Sequence, residues 1–412
     1  MATQTGYKAS ELGMIPQDWE IRRIGDFTDC TAGGTPSTQV SSYWGGEIPW
    51  MSSGELHLKQ VYDVAGRITQ KGLENSSTKF VPANSVLIGL AGQGKTRGTV
   101  AISKIPLCTN QSIAAIFPTD EFNSTFLFYN LENRYDELRA LSTGDGGRGG
   151  LNLTIIRNVS VKFPPLPEQT AIATALSDTD ALISSLQTLI AKKKAIKLSA
   201  MQNLLSGKIR LPEFAQRPDG SSKTTRQTEL GCVPEDWEVV ELGEVLSYEQ
   251  PGKYIIHNDD LKVGDIPVLT AGKTFILGYT IEDFNCYENY PVIIFDDFTT
   301  DSKLVNFRFK VKSSAMKMLK PKKNDMPIEL IFMLLQNINF IVGDHKRHWI
   351  SEFQHLKIAI PKSPTEQTAI AQLLSDIDAE IEALECRLKK TQSLKQGMMQ
   401  ALLTGKIRLP LE

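Results

Sequence analysis

No run of apolar residues in this 412-residue chain approaches the roughly 18 to 20 needed to span a bilayer, so a membrane role is not expected. The opening MATQTGYKAS lacks the apolar core of a signal peptide, and residence in the cytoplasm is the expectation. Cysteine is sparse: Cys30, Cys108, Cys232, Cys286 and Cys386 are odd in number, scattered and never spaced C-x-x-C, which excludes a disulfide framework and a thiolate zinc site. Histidine is equally scarce, and His345 and His348 have no cysteine or carboxylate cluster at ligand spacing, so no metal is assigned. A surplus of one charge is also missing. With 45 Lys and Arg against 47 Asp and Glu, any basic surface for a nucleic acid has to be local. What remains, 41% hydrophobic and 22% charged residues, is the composition of a soluble globular protein long enough for two or three domains.

What is present is an internal repeat. Residues 168–212 align without a gap on 366–410, and 25 of the 45 positions are identical. A second match joins ELGMIPQDWEIRRIGDF, from Glu11, to ELGCVPEDWEVVELGEV, from Glu229. The offset is 218 at the openings and 198 at the ends, so each half has a fixed opening, a divergent middle and a fixed closing segment, the first middle being 20 residues longer. EFAQRPDGSSKTTRQT, 213–228, is a polar linker.

The closing segments have a heptad period. Ile172, Leu176, Thr179, Ile183, Leu186, Ile190, Lys193, Lys197, Ala200 and Leu204 step alternately by four and three, as do Ile370, Leu374, Ile377, Ile381, Leu384, Leu388, Thr391, Lys395, Met398 and Leu402. Pro164, Pro165 and Pro167, and in the second copy Pro361 and Pro364, are expected to block helix upstream, and Gly207 and Gly405 to cap the C-terminal ends. About 40 residues give roughly 60 Å of helix. Two such seams in one chain are best satisfied by antiparallel pairing, which relates the halves by a pseudo-two-fold axis. The alternative is that each helix lies on its own domain's core.

LIGLAGQGKTRG, 87–98, satisfies the phosphate-loop pattern G-x-x-x-x-G-K-[ST]. A working phosphate loop needs a helix after the Lys-Thr pair, whose amides bind phosphate. Here Arg97, Gly98 and the β-branched run TVAI follow, so the spacing predicts a hairpin. PVIIFDDFTT, 291–300, imitates a magnesium-binding strand, yet its VII stands 206 residues after the VLI at 86–88, between the two offsets of the repeat. The two decoys are therefore equivalent positions of two copies, not neighbours in one nucleotide site. Gln93, Lys95, Thr96 and Arg97 on this turn are instead suited to phosphate oxygens and base edges. GDGGRGG, 144–150, carries Arg148 among glycines, and GDHKRHW, 343–349, gathers His345, Lys346, Arg347 and His348 beside Trp349. Lys273, Asn152 and Lys303 complete the candidate DNA contacts.

On these residues the chain resembles the specificity subunits of type I restriction-modification enzymes. The resemblance rests on two divergent domains alternating with two near-identical helical regions, on PPLPEQTAIA and SPTEQTAIA at the helix starts, and on LLSGKIRLP and LLTGKIRLP at their exits. It implies an α+β protein in which two target recognition domains, 1–164 and 229–361, are joined by two long antiparallel coiled-coil regions, 165–212 and 362–412. Each domain would read one half of a bipartite, asymmetric target in double-stranded DNA, while the helices fix the spacer. Ile172, Leu176, Ile183, Leu186, Ile190, Ile370, Leu374, Ile377, Ile381, Leu384 and Leu388 would pair the helices and dock partners. The expected partners are two modification (methyltransferase) subunits and motor or restriction subunits. They would carry S-adenosylmethionine, ATP and magnesium; no cofactor is expected on this chain, which has no N-P-P-[FY] or D-P-P-[FY] motif of an amino-methyltransferase and is expected to be non-catalytic. A P-loop NTPase with a coiled-coil arm and a structural coiled-coil adaptor are the rival readings.

Overall fold

The structure is a computed structural model and describes residues 6–92, 94–142, 150–257, 261, 264–270, 274–338, 340 and 348–410. It divides into two compact units, Met1–Gln187 with Arg387–Glu412, and Thr188–Cys386.

In the first unit the larger sheet runs in the order Cys30–Ala32, Ile113–Ile116, Val86–Gly89, Val100–Ser103, Gln60–Val61. Strand alternation sends neighbouring residues to opposite faces. Val86, Ile88, Val100, Ile102, Ala114 and Ile116 enter one core, with Phe126 and Leu127 of helix Ser124–Glu132. Leu87, Ala101, Ile113 and Ala115 enter a second core, with Met51 and Leu107 of a smaller sheet. A sheet covered on both faces explains why VLIG and VAIS are buried at every position. The smaller sheet runs Gly66–Ile68, Trp44–Met51, Leu107–Thr109, Phe80–Val81. Glu20–Arg23 pairs with Ser160–Phe163 to close the domain where its chain enters and leaves.

The second unit repeats this plan. Its larger sheet runs Leu246–Glu249, Met316–Pro321, Val292–Asp296, Ser302–Val305, and its smaller sheet Ile276–Thr280, Ile266–Leu269, Lys310–Val311. Again Ile293 and Phe295 face a core with Ile331 and Leu335 of helix Ile328–Gln336, while Val292 and Ile294 face the other. Trp237–Glu241 pairs with Lys357–Pro361 as the closing strands. Both small sheets contain one parallel pair, Trp44–Met51 with Leu107–Thr109 and Ile266–Leu269 with Lys310–Val311. The middles diverged in sequence and kept the order of the shared strands, while among the described residues the second unit has no counterpart of Gln60–Val61 or Phe80–Val81.

The hairpin expected at the phosphate-loop pattern is present. Val100 lies opposite Ile88 and Ile102 opposite Val86 in an antiparallel pair, so a strand follows Lys95 and Thr96 where nucleotide binding needs a helix. Gly89 serves that hairpin, since a Cβ there would stand 2.2 Å from the Thr96 carbonyl oxygen. Val292–Asp296 likewise forms a hairpin, with Ser302–Val305, at the equivalent place.

The two long helices are Leu166–Leu204 and Pro364–Leu402, 39 residues each. All ten seam positions of each copy are buried or half-buried, and their immediate flanks are mostly exposed. In the first unit Lys395 pairs with Asp180 at 2.8 Å, and the Thr179 hydroxyl lies 3.7 Å from the Met398 sulfur. In the second, Lys193 pairs with Glu380 at 2.7 Å and Lys197 with Asp378 at 2.5 Å. Rising numbers meet falling ones, so the helical segments are antiparallel in each unit. Given the offset of 198, Lys197–Asp378 and Lys395–Asp180 are one contact made twice. The alternative of helices lying on their own domain holds at the ends: Ile172 and Leu176 enter the first core with Met399 and Leu402, and Ile370 and Leu374 enter the second with Leu204. Pro167 and Pro364 lie inside the first turns, where an amide partner is not required, and not upstream as expected. Among the described residues no helix is long and apolar enough to cross a membrane.

Candidate nucleic-acid interface

In both units the end of the central strand is held by the same two backbone bonds. The Leu90 amide donates to the Ser112 carbonyl at 2.8 Å, and the Leu90 carbonyl accepts from the Leu151 amide at 2.9 Å. In the second unit the Asp297 amide donates to the Ala315 carbonyl at 2.9 Å, and the Asp297 carbonyl accepts from the His348 amide at 2.9 Å. The first pair of backbone bonds brings a hairpin tip beside Leu151, which follows GDGGRGG, and the second brings one beside His348 of GDHKRHW. Gln93, Arg148, Lys273, His345, Lys346 and Arg347 themselves lie outside the described residues.

The first tip is cationic and held from behind. Arg139 donates to the Gly94 carbonyl at 2.6 Å and the Tyr135 hydroxyl to the Lys95 carbonyl at 3.1 Å, so these loop carbonyls are turned toward helix Tyr135–Ala140. Gly98, at φ +78, packs against Arg139. The Lys95 side chain is exposed and Thr96 is half-buried. Lys95, His57, Lys59 and Tyr135 line a shallow groove of about 500 Å³. Arg97 is 8% exposed and is part of the tip's interior, not of its surface. Asn152 is exposed, and its side-chain oxygen caps helix Leu153–Arg157 by accepting from the Ile155 amide at 2.9 Å.

The second tip is acidic. Asp296 accepts from the Phe298 amide at 2.8 Å and the Thr299 amide at 3.2 Å, which folds the turn over its carboxylate. Asp297 is fully buried, 2.8 Å from the equally buried Lys317, and also accepts from the Trp349 amide at 3.0 Å. The acidic run that imitates a magnesium site is thus spent on a lysine and on backbone. Among the described residues no group of three or more His, Cys, Asp or Glu is placed to hold a metal ion. Lys303 is exposed on the edge strand, whereas His348 is buried with its ring 5.7 Å from that of Phe340.

A second set of residues, missed as a unit in the sequence, seats each domain on its helices. The Trp19 indole donates to buried Glu168 at 2.9 Å, and Arg408 bonds Glu168 at 2.9 and 2.6 Å and Asp18 at 2.8 Å twice. In the other unit Trp237 reaches Glu366 at 3.4 Å, and Arg210 bonds Glu366 at 2.9 and 2.5 Å and Asp236 at 2.7 and 3.1 Å. Each joint takes its Trp and Asp from one opening, its Glu from the helix start of the same copy, and its Arg from the helix exit of the other copy. The adjacent Gln169 and Gln367 donate to the Pro164 and Pro361 carbonyls at 2.8 and 2.7 Å, closing the turn into each helix. Gly405 and Gly207, at φ +72 and +70, let the exits press on Pro16 and Pro234, where a Cβ would stand 2.5 Å from the ring. The bidentate hydrogen bonds from Arg408 hold the Asp18 carboxyl below its ordinary range. For Asp236 burial acts upward, but hydrogen bonds from Arg210 and Lys223 outweigh it and the net displacement is downward.

The seam residues expected both to pair the helices and to dock partners are buried or half-buried, and Ile172, Leu176, Ile370 and Leu374 among them enter the domain cores. Leu166, Leu182, Leu189, Ile196 and Leu198 on the first long helix, and Leu373 and Leu394 on the second, are apolar side chains left at the surface.

A duplicated α+β domain, seated through matching joints on helices that run antiparallel in each unit, defines a protein of two like domains built on one repeated frame. The family model of the type I restriction modification DNA specificity domain matches residues 16–195 and 234–392, and the chain belongs to that family. The MjaVIII type I restriction enzyme specificity subunit of Methanocaldococcus jannaschii is 26% identical over 426 residues, 96% of this chain and 94% of its own length. The MjaIX specificity subunit of the same organism is 32% identical over 60% of this chain, and the EcoR124I/EcoR124II specificity subunit of Escherichia coli 42% identical over 43%. These two matches span 56% and 49% of those relatives, so the chain covers about half their length. The crystal structure of a type I restriction-modification S subunit from M. genitalium shares the fold, with a TM-score of 0.62 at 16% identity over 93% of this chain and 96% of that one.

Proposed function

We propose that this chain is the non-catalytic DNA-specificity subunit of a type I restriction-modification complex. Each domain reads one half of a bipartite, asymmetric double-stranded target through the tip of its central hairpin and the loop beside it. The helices set the separation of the half-sites and dock two modification subunits, which carry S-adenosylmethionine; motor or restriction subunits bring ATP and magnesium. The complex acts in the cytoplasm.

The observation that carries this reading is the contrast between sameness and difference in the two units. The order of the shared strands, the joint residues and the tip anchorage are repeated, while the side chains offered at the tips change from Lys95 and Thr96 to Thr299 and Asp301. Cations suit phosphate and guanine edges, whereas carboxylates accept from cytosine amino groups, so one frame reads two different sequences. A scaffold gives no physical reason for such a change, and the hairpin puts a strand where a phosphate loop has a helix. Methylome sequencing of a methylation-free host expressing this chain with its modification subunit is the test. A bipartite adenine-methylated motif with a fixed spacer is expected; no new methylation despite an assembled complex overturns the reading.

A further inference from the structure

Each unit has a groove at the foot of its domain, and the two are built from equivalent residues. In the first, about 480 Å³, the walls are Leu12, Gly13 and Met14 of the opening hairpin, Lys162 of the closing strand, and Thr404 and Lys406 of the helix exit. In the second, about 470 Å³, Leu230, Gly231 and Cys232, Ala359 of the closing strand, and Ser206 and Lys208 take those places, and Leu334, Asn337 and Ile338 add a further wall. Hairpin residues correspond at the offset of 218 and exit residues at 198. The turns are the same, with Gly13 at φ +91 and Gly231 at φ +94, and each is tied by a hydroxyl, Ser10 to the Gly13 carbonyl at 2.5 Å and Thr228 to the Gly231 carbonyl at 2.8 Å.

Leu12 and Leu230, Gly13 and Gly231, Thr404 and Ser206, and Lys406 and Lys208 are alike in two domains that otherwise diverged, yet they do not build the cores. Met14 is 45% and Leu230 46% exposed, and Lys208 and Lys406 are exposed at the rims. Crowding of cations at the first rim is also felt electrostatically: burial, then Lys406 and Arg134, depress the proton affinity of the Lys162 amine. An apolar floor with a lysine rim, present once per unit, calls for one ligand surface offered twice. We infer that each groove receives an apolar, acid-flanked segment of the modification subunit, so that one copy of that subunit docks at the foot of each domain as well as on the helices. This rests on the function proposed above.

The full chain, co-expressed with its modification subunit, provides the test. Cys232 lines the second groove and is exposed, and Cys386 is exposed on the second long helix, so one maleimide-labelling experiment compares two surfaces without any substitution. At least tenfold slower labelling of Cys232 in the complex than in the free chain is expected. Native mass spectrometry should show two modification subunits on the wild-type chain, one on Leu12→Glu or Leu230→Glu, and none on the double variant. Unchanged Cys232 labelling within an intact two-to-one complex, or a double variant that still takes two partners, overturns the groove and leaves the proposed function standing. Protection of Cys232 in the chain alone, with dimers in the spectrum, overturns it in favour of self-association. A wild-type chain that takes no modification subunit refutes the functional reading itself.

Discussion

Replacing Arg210 by methionine is the most direct probe of how the domains are seated. The arginine is 8% exposed and Glu366 2% exposed, and they are joined at 2.9 and 2.5 Å. Without the guanidinium, Glu366 stays buried with only the Trp237 indole at 3.4 Å as a described partner. Removing one member of a buried pair costs about 3–5 kcal/mol, because the remaining charge is uncompensated. Against a domain stability on the order of 5–15 kcal/mol that is a large share. Arg408 is 38% exposed and its carboxylate keeps a 2.9 Å bond from Trp19, so Arg408→Met should cost less, about 1–3 kcal/mol. Hydrogen exchange followed by mass spectrometry reads the two units separately. Fast exchange is expected in the closing strands Trp237–Glu241 and Lys357–Pro361 of Arg210→Met, while the double variant Arg210→Met/Glu366→Met should recover most of the loss. A cost below about 1 kcal/mol for Arg210→Met, or a double variant as unstable as the sum of its parts, refutes the buried-charge reasoning.

Alanine at Gly207 or Gly405 places a Cβ 2.5 Å from a proline ring at positive φ, and should lower the melting temperature by several degrees, reflecting about 1–3 kcal/mol, in calorimetry. Lys95→Ala should weaken binding of the assembled complex to all DNA sequences and reduce the salt slope by about one, measured by titration at several salt concentrations; loss of an ATP turnover would instead restore the nucleotide reading. Asp18 and Asp236 have depressed carboxyl affinities in the folded chain, so their contribution is complete above the unfolded value of about 3.9 and is lost as pH falls through the folded one. Thermal stability should therefore be level between about pH 7 and 5 and fall below about 4, and the fall should be shallower in Arg408→Met.

The long helices were legible because a heptad period is local, and every seam position is buried or half-buried. The hairpin was legible for the same reason: a β-branched run follows the glycines within a few residues. Sheet order was not, since its strands are two to eight residues long and are joined by distant partners such as Trp50 and Cys108. Repetition marked Trp19, Glu168 and Arg408 as important, but their convergence spans 149 and 240 residues of chain, which no local pattern encodes. Charge was a poor guide to exposure. Lys95 and Lys303 reach the surface, whereas Arg97 is buried because its turn returns directly into a core strand, and His348 is buried at the start of helix His348–Ser351.

The crossing of copies at the joints has a consequence for half of the chain. Residues 1–212 alone lack Met399, Leu402, Leu403, Gly405 and Arg408, which complete the first core and its joint. The same half carries Met201, Leu204, Leu205, Gly207 and Arg210, the same residue types at an offset of 198. Within one molecule these belong to a helix running away from the vacant joint, but a second molecule presents them in the required antiparallel sense. Lys197 of one copy would then meet Asp180 of the other, as Lys395 does in the intact chain. The half-chain should therefore be a two-fold symmetric dimer by light scattering, and Arg210→Met should dissociate or unfold it. A folded monomer of residues 1–212 would show that the exit residues are dispensable, and the account of the joints would fail with it.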